Sequence, residues 1–302
     1  MKCIEISVET DNEAAEAVSA VLSEYGGSGP VVEQVWQESG SPVVRVKLFL
    51  SAQQSEALAG IEEALWHMGQ LHPISEPSVR WLGEADWVEA WKAGYSLQHI
   101  GRRIVIKPSW QSYHSENGEV IIELDPGMAF GTGLHPSTRL CLGALEDWMR
   151  PGDRVLDVGT GSGILAVAAA KLGARSVVAI DIDDMALQVA AENVSANGVQ
   201  DVVHLERASL LPVSQQVEAT WEGTVDFLLM NILAKVVAAS SEEIAAHLVA
   251  DGVFVVSGII QSQEEDVLQA LSAAGLQIKQ RRAEGDWVAL IGGKEGWQGV
   301  NG

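Results

Sequence analysis

One glycine-rich turn between a predicted strand and a predicted helix constrains the fold of this chain more than any other feature. Residues 154–163 read Arg-Val-Leu-Asp-Val-Gly-Thr-Gly-Ser-Gly, and the apolar helical run 164–172 follows at once. Three glycines at alternate positions, Gly159, Gly161 and Gly163, permit a sharp turn and let a ligand lie against bare backbone near the helix N-terminus. The stretch therefore predicts a strand-turn-helix unit that binds a ligand.

The strand after this turn indicates which cofactor the unit would bind. It is predicted over 176–181 and ends in Asp181, where a carboxylate can bind the ribose hydroxyls of a nucleotide. The dinucleotide pattern requires a Gly or Ala where this chain has Ile164, and its third glycine, Gly163, comes early. This spacing fits S-adenosylmethionine better, because that cofactor has no pyrophosphate. A nicotinamide-dependent oxidoreductase is the less favoured alternative.

Strands and helices alternate through the second part of the chain, which predicts an α/β fold with a mostly parallel sheet covered on both faces. The predicted strands are 154–158, 176–181, 202–206, 225–230, 253–257, 276–281 and 287–291, and the predicted helices are 138–149, 164–172, 183–196, 234–248 and 263–274. Two further strands, 103–107 and 120–124, are expected to form a hairpin that leads into this domain.

The first part of the chain has a different pattern. Residues 1–83 read as β-α-β-β-α-β, which predicts a small ferredoxin-like α+β domain. Because this part offers no obvious nucleophile, metal cluster or phosphate loop, we expect it to bind the substrate protein. A linker helix is predicted over 84–98, the cofactor-binding domain over 99–292 and a polar tail over 293–302.

A long loop precedes the glycine-rich unit. Residues 125–138 contain several glycines, prolines and hydroxyl side chains, which exclude a regular element, and apolar residues that argue against disorder. This loop is well placed to close over the ligand, so Phe130 and Thr132 are candidate cofactor contacts. His135 is a candidate only because it lies in the loop, and Ser137 is the expected cap of the helix that follows.

Two groups of motifs resemble known families. Residues 155–163 together with Asp181 resemble the first two motifs of the Rossmann-like, class I methyltransferases. The loop motif Asp-Pro-Gly-Met-Ala-Phe-Gly-Thr-Gly of 125–133, followed by His-Pro-Ser-Thr, is more specific and resembles the methyltransferases that modify ribosomal protein L11 of the large subunit. The resemblance extends upstream to the tryptophans of 87–91 and downstream to the Asn-Ile-Leu-Ala of 231–234. It is weakest over the first part of the chain.

This resemblance implies a cofactor, an activity and a set of contact residues. It implies S-adenosylmethionine bound by Thr138, Gly159, Asp181 and Asn231, with Gly161 and Gly163 in the same turn. It also implies methylation of amines of ribosomal protein L11, a basic protein. A methyltransferase that acts on a small-molecule amine or a nucleic-acid base is an alternative, and so is a non-catalytic protein that only binds a partner.

Asn231 is the candidate catalytic residue. It follows the predicted strand 225–230 and therefore reaches the carboxyl edge of the sheet, where ligands bind in such folds. Methyltransferases acting on flat bases or amides tend to have Asn-Pro-Pro and an aromatic residue here, whereas this chain has Asn-Ile-Leu-Ala. The missing aromatic favours an aliphatic amine, either a lysine side chain or an N-terminal α-amine. The competing interpretation is that Asn231 only caps the next helix.

Charge and composition limit the partners. The formal net charge of −22 repels nucleic-acid phosphates within a Debye length of about 8 Å and attracts basic proteins. The chain has two cysteines, no apolar run long enough to span a membrane and no secretory signal pattern. We expect a cytoplasmic monomer with a protein partner, no direct nucleic-acid partner, no membrane contact and no metal.

Overall fold

The chain divides into two compact units, Met1–Ser96 and Leu97–Gly302. The structure is a computed structural model, and it describes residues 3–10, 12–23, 25, 30–36, 42–69, 73–82, 97–116, 118–125, 135–210 and 224–296. The predicted linker helix 84–98 lies outside these residues apart from its last two, and Gln98 belongs to a strand. None of the helices in the described ranges has the length and apolar character needed to cross a bilayer.

The first unit is a four-stranded antiparallel sheet with two helices. Its elements are β1 (Cys3–Thr10), α1 (Asn12–Ser23), β2 (Val31–Trp36), β3 (Pro42–Ser51), α2 (Leu58–Gly69) and β4 (Ser78–Leu82). The strand order is β2-β3-β1-β4, and each neighbouring pair is antiparallel. Alternate residues of β1, namely Ile4, Ile6 and Val8, are buried in one cluster with Val18 of α1 and Leu65 of α2. Burial of every second residue is typical of a β-strand that has one face against the core.

A three-stranded sheet opens the second unit. It consists of β5 (Gln98–Ile100), β6 (Ile104–Lys107) and β7 (Val120–Glu123). The prediction that β6 and β7 form a hairpin is wrong, because these two strands are parallel. The antiparallel pair is β5 and β6. The segment between β6 and β7 is long enough for the crossover that parallel strands need. The side chain of Asp125, just after β7, accordingly accepts hydrogen bonds from the backbone and hydroxyl of Ser109, just after β6, both at 2.7 Å.

The main sheet has seven strands in the order β10-β9-β8-β11-β12-β14-β13. Its strands are β8 (Arg154–Val158), β9 (Ser176–Asp181), β10 (Val203–Arg207), β11 (Val225–Asn231), β12 (Leu248–Ile260), β13 (Leu276–Glu284) and β14 (Trp287–Lys294). The first five strands in that order pair in parallel, and β14 pairs antiparallel with both its neighbours. The predicted mostly parallel α/β sheet is therefore confirmed. Its strand order reverses between β8 and β11, where open sheets of this type bind ligands.

Helices cover both faces of this sheet. They are α3 (Pro136–Trp148), α4 (Ile164–Lys171), α5 (Asp184–Ala196), α6 (Ala234–Ala239), α7 (Ser241–His247) and α8 (Glu264–Ala273). Residues of β11 alternate between two hydrophobic clusters: Phe227 and Leu229 pack with α3 to α5, and Leu228 and Met230 pack with α6 to α8. Burial on both faces explains why residues 227–230 of β11 are all apolar. The single helix predicted over 234–248 is two helices that meet at Ser240.

Candidate active site

A cavity of about 750 Å³ lies at the carboxyl edge of the main sheet. Gly159, Asp181 and Asn231 follow or end the parallel strands β8, β9 and β11, and all three line the cavity. The apolar part of its wall includes Val158, Ile182, Met185, Ala186, Leu210 and Met230. The size suits a small-molecule ligand, and a mostly apolar wall with a few polar groups is typical of cofactor sites.

The three glycines of the turn have positive φ angles but occupy different surroundings. Gly159 and Gly161, at φ 70° and 55°, line the cavity. A Cβ on Gly159 would lie 2.4 Å from Cγ2 of Ile232, so no side chain fits there. Gly163, at φ 80°, is not among the residues that line the cavity, and a Cβ there would lie 3.1 Å from Cβ of Ala190 in α5. Gly163 therefore allows two helices to pack, and the structure does not place it against the ligand site.

Asp181 is hydrogen-bonded to the turn. Its Oδ2 accepts from the backbone N–H of Gly161 at 3.0 Å, and its Oδ1 accepts from the backbone N–H of Asp183 at 3.0 Å. These bonds fix the orientation of the carboxylate. Because a carboxylate oxygen can accept two hydrogen bonds, each oxygen can accept one more from a pair of hydroxyls.

Asn231 and Thr138 form the second polar pair. The side-chain Nδ2 of Asn231 donates to Oγ1 of Thr138 at 3.3 Å. Oδ1 of Asn231 is buried and has no hydrogen-bond partner among the described residues. Thr138 is itself buried in the first turn of α3 and is not among the residues that line the cavity. The link between Thr138 and the cavity is its hydrogen bond with Asn231.

His135 and Trp287 line the cavity together, and Trp287 was not predicted. Their rings meet edge to face, with centroids 4.4 Å apart and planes at 72°. His135 caps α3, because its Nδ1 accepts from the backbone N–H of Ser137 at 3.3 Å. Ser137 is thus not the cap, contrary to the prediction. Burial, assisted by the charge of Arg139, lowers the pKa of His135, so the imidazole is neutral at pH 7.

Asp157 is a buried carboxyl group that the sequence reading missed. It lies in β8, two residues before Gly159, and its Oδ2 accepts from the hydroxyl of Thr160 at 2.6 Å. Burial raises the pKa of Asp157 to about 7, and the nearby charge of Asp181 acts in the same direction, while hydrogen bonds from Thr160 and from the backbone of Ala166 oppose the rise. Asp157 thereby joins the strand, the turn and α4. The acid stands among the apolar residues Val155, Leu156 and Val158 of β8, and this position was the sequence signal that its side chain is buried.

Two asparagines, one in α5 and one at its C-cap, attach neighbouring segments to this helix, and nothing in the sequence singled them out. Nδ2 of Asn193 donates to the carbonyl of Ser162, inside the turn, at 2.7 Å. Nδ2 of Asn197 donates to the carbonyl of Glu123 at 2.6 Å, and its Oδ1 accepts from the N–H of Glu123 at 2.9 Å. The end of β7 and the glycine turn are therefore both attached to α5.

Four of the predicted site residues line the same cavity, and a fifth is hydrogen-bonded to one of them. The structure brings Gly159, Gly161, Asp181 and Asn231 to one cavity and places Thr138 directly behind Asn231. Phe130 and Thr132 lie outside the described residues.

Comparisons with known proteins agree along nearly the full chain. The sequence profile of the family described as ribosomal protein L11 methyltransferase (PrmA) matches residues 2–295. The chain is 44% identical to a ribosomal protein L11 methyltransferase of Chloroflexus aurantiacus, over 95% of this chain and 97% of that protein. It is 42% identical to the protein of the same name from Pelotomaculum thermopropionicum, over 96% of this chain and 98% of that protein.

A solved structure is also similar. It is the crystal structure of ribosomal protein L11 methylase from Lactobacillus delbrueckii subsp. bulgaricus, with 37% sequence identity and a TM-score of 0.60. The match covers 67% of this chain and all of that chain.

Proposed function

Since the chain belongs to the ribosomal protein L11 methyltransferase family, we propose that it transfers methyl groups from S-adenosylmethionine to amines of ribosomal protein L11. The family membership confirms the resemblance noted in the loop motif. The observation that carries the proposal is one cavity that holds both the carboxylate of Asp181 and the amide of Asn231, whose buried Oδ1 has no partner in the described part of the chain. The amines we propose are lysine side chains, the N-terminal α-amine, or both.

The residues around the cavity fit S-adenosylmethionine. Asp181 would accept the two ribose hydroxyls with its two remaining acceptor positions. The backbone of Gly159 and Gly161 would lie against the nucleoside, and the apolar side chains of Ile182 and Met185 would contact the adenine. When bound, this cofactor supplies a methyl group that carries the positive charge of a sulfonium.

Asn231 would orient the amine that receives the methyl group. A lysine has a pKa of about 10.4, so forming the neutral amine at pH 7 costs roughly 4–5 kcal/mol, whereas an α-amine with a pKa near 8 costs far less. The apolar wall lowers the pKa of an amine by desolvating its charged form. Oδ1 of Asn231 would accept one N–H of the neutral amine and hold it in place, which is a positioning contribution to catalysis.

The first unit would recognise the protein substrate. In its helix α2, Glu62 and Glu63 are exposed, and the helix contains neither lysine nor arginine. Such a surface attracts a basic protein and repels other acidic ones. We therefore propose that residues 1–83 form a ferredoxin-like recognition domain for ribosomal protein L11, and that the reaction takes place in the cytoplasm, where ribosomal proteins are made.

A labelling experiment tests this function. The purified protein is incubated with isotopically labelled S-adenosylmethionine and a mixture of ribosomal proteins and RNA, and the labelled component is identified by mass spectrometry. We expect label on ribosomal protein L11 and none when the Asp181→Ala variant is used. Label on RNA would contradict the proposal.

A thermal-shift comparison distinguishes the methyltransferase from the alternative of a nicotinamide-dependent oxidoreductase. We expect S-adenosylmethionine, and not NAD, to raise the melting temperature of the protein.

A further inference from the structure

Leu233 is an apolar side chain that lines the cavity although 63% of its surface is exposed. Within the described residues the large hydrophobic side chains that are exposed number five, and three of them, Ile182, Met185 and Leu233, line this cavity. Single exposed apolar residues need no explanation, whereas a group of them around one cavity indicates a binding surface.

The backbone around Leu233 is held firmly. The side chain of the preceding residue, Ile232, occupies the space that a Cβ on Gly159 would need, and its carbonyl lies where a Cβ on Gly258 would be. Leu233 is the residue before α6, and its carbonyl accepts hydrogen bonds from Val236 at 2.8 Å and Val237 at 3.2 Å. The exposed side chain therefore extends from a fixed position.

Resting on the proposed function, we infer that Leu233 contacts the methylene stem of a target lysine and so selects lysine side chains over the α-amine. Asn231, whose Oδ1 would hold the amine, precedes Leu233 by two residues, and both line the cavity. Two residues of chain span at most about 7 Å, so the two positions lie within the reach of one lysine side chain. Lysine stems commonly lie along apolar surfaces while the amine reaches a polar group. An α-amine has no such stem and gains nothing from Leu233.

Two forms of ribosomal protein L11 separate the two kinds of amine. One form has an acetylated N-terminus and offers only lysines, and the other has every lysine replaced by arginine and offers only its α-amine. For Leu233→Ala we expect kcat/KM on the lysine form to fall about tenfold, the equivalent of nearly two methylenes losing apolar contact, and kcat/KM on the α-amine form to change less than twofold. The conservative variant Leu233→Met keeps an aliphatic surface and should restore the preference for lysine.

Met185→Ala is the matched control, because Met185 is also exposed and lines the cavity beside Asp181. We expect it to change the rates on both forms by the same factor. Equal losses on both forms with Leu233→Ala, or no loss on the lysine form, would overturn the inference, as would methylation of the α-amine form alone by the unsubstituted protein. Methylation of neither form by the unsubstituted protein would instead overturn the proposed function, on which the inference rests.

Discussion

The side-chain amide of Asn231 donates a hydrogen bond to the hydroxyl of Thr138, with 3.3 Å between Nδ2 and Oγ1. This bond joins the end of β11 to the first turn of α3 and commits Nδ2, so that Oδ1 is left as the acceptor. Within the described residues this buried oxygen has no partner, and an unpaired buried carbonyl costs about 1–3 kcal/mol. We propose that this cost is offset when the target amine donates to it.

Thr138 is predicted to act by positioning Asn231. Replacing Thr138 with Val keeps its shape but removes the acceptor for Nδ2, so the amide of Asn231 can rotate. We expect kcat to fall about tenfold, which corresponds to roughly 1.4 kcal/mol, while the dissociation constant of S-adenosylmethionine changes little. Thr138→Ser keeps the hydroxyl and should retain most of the turnover. Steady-state kinetics and calorimetry measure the two quantities, and equal turnover in the Val and Ser variants would remove Thr138 from this role.

Asn231 itself should matter more for turnover than for cofactor affinity. Asn231→Ala removes the oxygen that we propose orients the amine, and the loss of one such positioned group lowers kcat by about 10²-fold or more. Cofactor affinity should stay within a few-fold, because Asp181 and the glycine turn are unchanged. If the cofactor affinity fell further than kcat, Asn231 would be a cofactor ligand and not an amine ligand.

Asp181 is predicted to dominate cofactor affinity. Asp181→Ala removes both proposed ribose contacts and also the acceptor of the Gly161 N–H bond. We expect binding of S-adenosylmethionine to weaken by at least 10²-fold, since hydrogen bonds to a charged group contribute about 1.5–3 kcal/mol each. Asp184→Ala is the control: this side chain, three residues further, is exposed and pairs with Arg207 on the surface. Similar calorimetric titrations for both variants would exclude Asp181 from the site.

Most of the site residues that the sequence predicted belong to one local pattern, and Asn231 was predicted from its place at the end of a strand. Gly159, Gly161 and Asp181 belong to one strand-turn-helix-strand pattern, in which spacing along the chain determines the geometry. The cap of α3 could also have been predicted from local sequence. Proline favours the first position of a helix, so Pro136 places the cap at His135 rather than at Ser137.

Most of what the sequence did not predict depends on contacts between distant residues, although the bond between Asp157 and Thr160 is local. His135 and Trp287 meet only because β14 returns to lie between β12 and the edge strand β13. The parallel pairing of β6 and β7 likewise depends on where the long intervening segment returns the chain, which spacing alone does not determine. Periodicity predicts which face of an element is buried, and it does not predict which distant element covers that face.

Gly163 should be required for stability more than for cofactor binding. An alanine there must adopt a positive φ, which costs about 1–2 kcal/mol, and its Cβ would press against Ala190. We expect Gly163→Ala to lower the free energy of unfolding by roughly 2–4 kcal/mol, because overpacking adds to the backbone cost.

Gly198 provides the matched control for Gly163. Its φ is 67°, and a Cβ there would meet nothing within 4 Å, so Gly198→Ala isolates the backbone cost. Urea unfolding should therefore show a smaller loss of stability for Gly198→Ala than for Gly163→Ala. Calorimetry on the folded Gly163→Ala variant should still show binding of S-adenosylmethionine, and a selective loss of binding without a loss of stability would contradict the packing role.

Asp157 should make stability depend on pH. Burial raises its pKa from 3.8 to about 7 in the folded protein, so between these values the folded state binds more protons than the unfolded state. The contribution of this group to stability therefore falls as the pH rises from about 4 to about 7 and is constant above that range. Asn at this position can still accept hydrogen bonds from Thr160 and Ala166 but does not titrate.

The Asp157→Asn variant should thus gain stability relative to the unsubstituted protein as the pH rises. Between pH 5 and pH 8 we expect a relative gain of roughly 2–3 kcal/mol, at about 1.4 kcal/mol for each unit of pKa difference spanned. Urea unfolding of both proteins at the two pH values measures it, and the other titrating groups cancel in the difference. The contrary result is a stability difference between the two proteins that is the same at pH 5 and pH 8. It would mean that Asp157 has the same pKa in the folded and unfolded chains, so that burial in β8 does not raise it.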